Sequence, residues 1–347
     1  MDAVATSSEA KTAPTAAWGA VWSMALCVAM LIASEFMPVS LLTPMAAGLG
    51  ATEGQTGQAI SISGLFAVAA SLLITTAAGR LNRKWVLVTM TALMLISLAL
   101  VATAPNFAVL MIGRALLGIC IGGFWALATA VIMRLVPQDD VPNALALMYG
   151  GQAIAAAFAA PIGSYLGDLF GWREVFWALT PIVAINLVWH VAALPSLPAA
   201  QKQDVRSMLG LLNRSYFRRG LIACMLSWGS AFTMFTYLRP FLEQVTGVDV
   251  TMLSTLLLIL GCAGFAGTWA AGRFVKGDVA SFLKLPALVM GGATVGLLLL
   301  GFSVVAAGLF LAIWGAMNTM FSVIWMTWMS QNAGDALYEK LTLDGIA

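Results

Sequence analysis

Ten apolar runs, each long enough to cross a hydrocarbon core as a helix, dominate this 347-residue chain. Crossing about 30 Å takes roughly 20 helical residues. The runs are Trp18 to Leu42, Gln58 to Ala78, Trp85 to Ala104, Phe107 to Met133, Asn143 to Leu166, Val175 to Leu194, Gly220 to Phe241, Met252 to Gly272, Leu285 to Ser303 and Ala306 to Met329. A membrane strand needs only about 10 residues in strict alternation, and these runs are longer and unbroken. An all-α polytopic membrane protein is therefore predicted, not a barrel. Composition points the same way, with 61% apolar and 9% charged residues, against roughly 45–50% and about 25% in a soluble domain. That balance excludes an ordinary soluble enzyme. A formal charge of +2 leaves no basic field to gather nucleic acid.

Basic residues set the orientation. Fourteen of the 17 Lys and Arg fall in the N-terminal tail, the even-numbered loops and the C-terminal tail; only Arg173 and Arg239 lie on the other side. Lys and Arg mark the cytoplasmic face, so both termini are predicted to be cytoplasmic. Residues 1–17 are small, polar and poor in basic residues, and the first apolar run is too long for a signal-peptide core, so they are expected to remain as a tail. The segment 195–219 carries Lys202, Arg206, Arg214, Arg218 and Arg219 and divides six runs from four. It is expected to link a six-helix bundle, 18–194, to a four-helix bundle, 220–329, followed by a polar tail, 330–347.

Charge inside a membrane costs several kcal/mol and so marks function by default. Glu35 lies seven residues from the outer end of the first run, and Arg114 seven residues from the outer end of the fourth. At 1.5 Å per residue both are about 10 Å deep. Matched depth predicts one shared polar cavity, as a direct ion pair or across a small water-filled gap. Burial disfavours an ionised carboxylate and a guanidinium favours it, so the protonation of a buried acid can answer to what fills the cavity. If proton and substrate compete for Glu35, one is exchanged for the other. A purely structural pairing of the two helices is the alternative.

Near mid-depth, Gln152 and Asn318 can each donate and accept hydrogen bonds. Trp125, Trp228, Phe232, Trp314 and Trp325 offer flat surfaces for an aromatic ring, with ordinary packing the plainer reading for each. Tyr237 and Arg239 close the seventh run, as interfacial anchors or as part of a gate. Cys27, Cys120, Cys224 and Cys262 have no metal-ligand spacing, and one histidine, His190, is too few for a ligand cluster. No metal or cofactor is expected.

Short motifs bring a family into view. Gly79-Arg80-Leu81-Asn82-Arg83-Lys84 resembles the basic cytoplasmic loop of the major facilitator superfamily, with Asn82 where that loop usually has aspartate. Gly272-Arg273-Phe274-Val275-Lys276 echoes it in the second half, as a parallel repeat would require. Arg114 with Gly118, Gly122 and Gly123 is similar to the family's fourth-helix arginine motif. Ala160-Pro161-Ile162-Gly163 is similar to its fifth-helix antiporter motif, with Ala160 for the usual glycine. Glu35 followed by Pro38 is characteristic of the drug:proton antiporter branch. The strings Glu35 to Met45, Gly122 to Ala126 and Phe235 to Pro240 resemble bacterial exporters of purine nucleosides within that branch.

The resemblance implies a major facilitator fold and export of purine ribonucleosides such as inosine and guanosine across the inner membrane in exchange for protons. A monomer is expected. It also implies twelve helices, of which ten are represented; the eleventh and twelfth have no apolar run here. Drug or sugar export by the same fold and an inactive membrane remnant are the alternatives. Neither HExxH nor GxSxG occurs, which argues against an intramembrane enzyme.

Overall fold

The computed structural model describes residues 16–79, 81–198, 213, 215–274 and 282–344. All regular structure among them is helical. The helices are α1 (Trp18–Ser40), α2 (Leu42–Leu49), α3 (Glu53–Ala77), α4 (Arg83–Thr103), α5 (Phe107–Leu135), α6 (Val141–Phe170), α7 (Trp172–Ala193), α8 (Ser215–Thr236), α9 (Leu238–Phe241), α10 (Val250–Phe274), α11 (Lys284–Leu300) and α12 (Val304–Asp344). Helix is the only open-chain answer in lipid, because each backbone donor must find its acceptor within its own segment.

Turns fall where local chemistry allows them. Asn82 caps α4 by accepting from the Lys84 amide, and Asn106 caps α5 by accepting from the Val109 amide. Gly171, at φ 99°, turns α6 into α7 in one residue. The first run breaks after Pro38 at Leu41, and the seventh breaks at Tyr237, where the two pieces meet at 49°. Neither break is visible as a loss of apolarity. Among the described residues, eight helices are long and apolar enough to span a bilayer, the bent pair makes a ninth, and α11 is a shorter apolar helix of 17 residues.

The last apolar run ends as expected near Met329, but the helix outlasts it, since α12 continues to Asp344. Ser330 to Asp344 has no proline and holds Ala, Leu, Glu and Lys, all good helix formers, so loss of apolarity ends the span and not the helix.

Among the described residues two large buried cores organise the packing, beside a small third at Ala271, Met320 and Ile324. The larger gathers α1, α4, α5, α6 and α7 around Met24, Leu87, Phe124 and Phe176. The other gathers α8, α10, α11 and α12 around Leu256, Leu311 and Trp314, with Val39, Ile60 and Ala160 reaching in from the first half. The closest helix pairs use glycine, which in lipid lets van der Waals packing act without a hydrophobic drive between helices. A Cβ at Gly118 or Gly122 of α5 would fall 2.1 Å from the Ser63 carbonyl oxygen or 2.0 Å from that of Ala67, both on α3. In the second half, Gly267 of α10 and Gly315 of α12 are as tightly set, against Ala316 and Leu260. Across the two halves, Gly261 of α10 sits on the Ala157 backbone of α6. Leucine at Gly122 must push α3 off α5, and backbone cannot yield as a side chain can. The expected cost is roughly 3 kcal/mol or more, read as a lower thermal midpoint in detergent for Gly122→Leu.

Candidate functional site

Arg114 sits fully buried on α5, 1% exposed, and every polar contact it makes crosses to another helix. Nη2 pairs with Glu35 Oε2 of α1 at 2.7 Å. Nη1 donates to the Ser34 carbonyl at 2.9 Å and Nε to the Ala59 carbonyl of α3 at 3.0 Å. The depth argument thus resolves to a direct ion pair. Ser63 of α3 completes the cluster: its hydroxyl lies 2.8 Å from Glu35 Oε1 and 3.1 Å from Oε2, and Arg114 Nη2 donates to its oxygen at 3.2 Å. Serines and threonines are common along the helices, so nothing in the sequence separates Ser63 from the others.

Glu35 is less enclosed than its partner, 13% exposed, because it lines a cavity of about 380 Å³ between α1 and α3 on one side and α8 on the other. Tyr237 closes that cavity with its hydroxyl against Gly57, where a Cβ would stand 2.6 Å away. A second cavity, about 130 Å³, is lined by Phe36, Trp228, Phe235, Trp314 and Asn318. Phe232 borders both. Asn318 Oδ1 is buried there without a hydrogen-bond partner. Gln152 Oε1 is likewise buried and unpartnered on α6, one residue from Ala153, which lines this cavity. A buried amide oxygen left unpaired is an acceptor awaiting a donor. Trp228 meets Phe321 edge-on at 5.8 Å, and Trp325 stacks on Trp328 at 5.1 Å.

Trp125 is not among the residues lining either cavity. It stacks on Tyr149 at 5.9 Å, against the first-half core. Arg239 joins the ends of both halves, with Nε on Glu243 at 2.7 Å and Nη1 donating to the Ser40 carbonyl, while Thr43 donates to Glu243 at 2.7 Å. His190 is fully buried and bonded to Thr91 at 2.9 Å. All four cysteines are free thiols.

At the opposite end, Gly79 makes the turn between α3 and α4 at φ 20°, and Arg80 lies outside the described residues. Asn82, standing for the usual aspartate, donates to Ser196 Oγ at 2.7 Å and accepts from the Leu197 amide at 2.9 Å. The Arg83 amide returns a bond to the Leu197 carbonyl at 2.8 Å, and the Arg83 side chain is buried. Lys84 Nζ lies over Trp85, 5.8 Å from the ring centre. Arg134 donates to the Pro198 carbonyl at 2.9 Å. The loop therefore straps down the chain that leaves α7. Pro161 is buried within α6, and a Cβ at Gly163 would meet Ser40 and Met37 of α1 at 3.0 and 3.1 Å. Of the second-half echo, Arg273 lies over Trp269, and 275–276 are outside the described residues.

A buried ion pair at a cavity between two helical halves fits a membrane transporter, the class to which the comparisons assign the chain. The chain belongs to the Major Facilitator Superfamily, whose model matches residues 24–341. It is 40% identical over 319 residues, 92% of this chain and 80% of the relative, to the purine ribonucleoside efflux pump NepI of Escherichia coli. It is 45% identical over 318 residues, 90% of this chain and 79% of the relative, to a Pseudomonas aeruginosa protein named transcription regulatory protein OpdE. Among solved structures, the D-xylose-proton symporter matches with a TM-score of 0.64 at 15% identity, over 89% of this chain and 81% of that one. A bacterial homolog to the human lysosomal transporter Spinster matches at 0.64 and 16%, over 90% and 74%. At these identities the two structures bear on fold alone. The chain is a multi-pass membrane transporter by family, not an enzyme.

Replacing Arg114 by Ala strands the Glu35 carboxylate and removes the donor to Ser34 and Ala59. Breaking a buried pair from one side costs roughly 3–5 kcal/mol, so Arg114→Ala is expected to lose most of its monodisperse yield on size exclusion, whereas Arg114→Ala with Glu35→Ala recovers part of it.

Proposed function

We propose that this chain exports purine ribonucleosides such as inosine and guanosine from the bacterial cytoplasm across the inner membrane, taking up a proton for each molecule released. The observation that carries the reading is the Glu35 carboxylate, paired to the buried Arg114 and open to the cavity between the halves. The printed name of the 40% identical relative supplies the substrate class.

In this reading Glu35 holds the proton when the site is empty and gives it up when substrate occupies the cavity. Residues 18–194 and 220–329 move as two bundles about the site, joined by 195–219, with both termini in the cytoplasm. The chain acts as a monomer. The carbonyl oxygens of Asn318 and Gln152 accept from nucleoside N–H and hydroxyl groups, and Trp228 offers its face to the purine. Trp125 keeps only an indirect place, through its stack on Tyr149. Tyr237 bounds the site from the break between α8 and α9. The Gly79, Arg80, Arg83 and Lys84 loop and the Pro161 and Gly163 pair serve the change of conformation, the first by strapping the post-α7 chain and the second by close packing on α1.

A regulatory role is the second reading, favoured by the name of the 45% identical relative; it requires ligand binding without net transport. Loading vesicles with inosine and following efflux under an imposed proton gradient separates the two. Glu35→Gln is expected to insert normally and to lose gradient-driven efflux; full pH-dependent efflux by that variant would remove Glu35 from coupling. Asn318→Leu and Gln152→Leu are expected to weaken inosine binding about tenfold each, the order of one lost hydrogen bond at a buried acceptor. Unchanged affinity in both would take the amides out of the site.

A further inference from the structure

The Ser63 hydroxyl has one hydrogen and more acceptors than it can serve. Glu35 Oε1 lies at 2.8 Å, Glu35 Oε2 at 3.1 Å and the Ile60 carbonyl, one turn back on its own helix, at 2.8 Å. The residue is fully buried, and Arg114 Nη2 already donates to its oxygen at 3.2 Å. A serine on a helix always has the carbonyl three or four residues back as a fallback acceptor. Ser63 is thus a branch point between an acid and its own backbone.

We propose that Ser63 is the positioning residue that lets Glu35 change protonation state without disturbing Arg114. With Glu35 ionised, the hydroxyl hydrogen points to the carboxylate. When a proton enters from the cavity and binds Glu35, the new carboxyl O–H donates to Ser63 Oγ and the serine hydrogen turns to the Ile60 carbonyl. One proton is gained by Glu35, no other bond to hydrogen is made or broken, and each polar atom keeps a partner. Arg114 holds the Ser34 and Ala59 carbonyls throughout, so the guanidinium has no reason to move and α1, α3 and α5 stay joined. This rests on the reading of Glu35 as the coupling acid.

Other groups are poorly placed for the task. At the break between α8 and α9, Tyr237 lines the same cavity as Glu35. From α9, Arg239 is held by Glu243 and the Ser40 carbonyl. On α6 and α7, which pack on α1, the charged residues are Asp168, Arg173 and Glu174 around the turn between them, and His190 is bonded to Thr91. Ser63 is the neutral donor in contact with the carboxylate.

Removing the hydroxyl takes a charge-assisted hydrogen bond from ionised Glu35 and only a neutral one from the protonated form, and the first is about twice as strong. The proton is then held more readily. The test is inosine-induced proton release by the purified full chain in weakly buffered detergent, followed with a pH dye across a range of pH, with guanosine as a second probe. The pH at half-maximal release is expected to rise by roughly half to one pH unit in Ser63→Ala and to stay at the wild-type value in Ser63→Thr. Ser63→Cys, whose thiol is a weaker donor, is expected to fall between them and carries the test if Ser63→Ala does not fold. Profiles of Ser63→Ala and Ser63→Cys that superimpose on wild type, with Glu35→Gln silent, overturn the role of Ser63 and leave the coupling reading standing. Release by Glu35→Gln equal to wild type, or none from wild type with either nucleoside, overturns both.

Discussion

The guanidinium of Arg114 has to be satisfied in a place where water does not do it. Its three nitrogens find one carboxylate, two backbone carbonyls and one hydroxyl, and those partners lie on α1 and α3. An uncompensated charge at that depth would cost several kcal/mol, so register among the three helices is fixed by charge as well as by shape. The glycines of α5 are the geometric counterpart. Gly118 lets the Ser63 backbone approach α5 closely, and the same approach places the Ser63 hydroxyl between acid and base. Packing and electrostatics are one requirement here, met by one helix pair.

The second half repeats the packing without the charge. α10 and α12 meet through Gly267 and Gly315 much as α3 and α5 meet through Gly118 and Gly122. At the centre of that half stand Asn318 and a group of aromatic rings. The asymmetry sets a charged cluster against one cavity and a neutral, ring-lined surface around the other, and Phe232 is common to both cavities.

Much of this was legible in the residues. Equal depths of Glu35 and Arg114 pointed to one shared cavity because helical rise is nearly constant, and the spans stood out by length. Other features depended on rotation and register, which a single sequence leaves open. Ser63 could not be told from its neighbours until α3 was set against α1. Trp125 has the residue type of a ligand platform but faces Tyr149. The breaks at Leu41 and Tyr237 lie inside apolar runs, where hydropathy has no resolution. The continuation of α12 to Asp344 was hidden for the opposite reason, since helix propensity outlasts apolarity.

Asn82 has a mechanical consequence. By clasping Ser196 and Leu197 through a neutral amide, with Arg134 holding Pro198, it fixes the chain that leaves α7 against the α3–α4 turn as far as Pro198. An aspartate clasp would loosen as salt screened it. An amide clasp has no such dependence, so the hold on Ser196 and Leu197 stays the same whatever the ionic strength at the membrane surface.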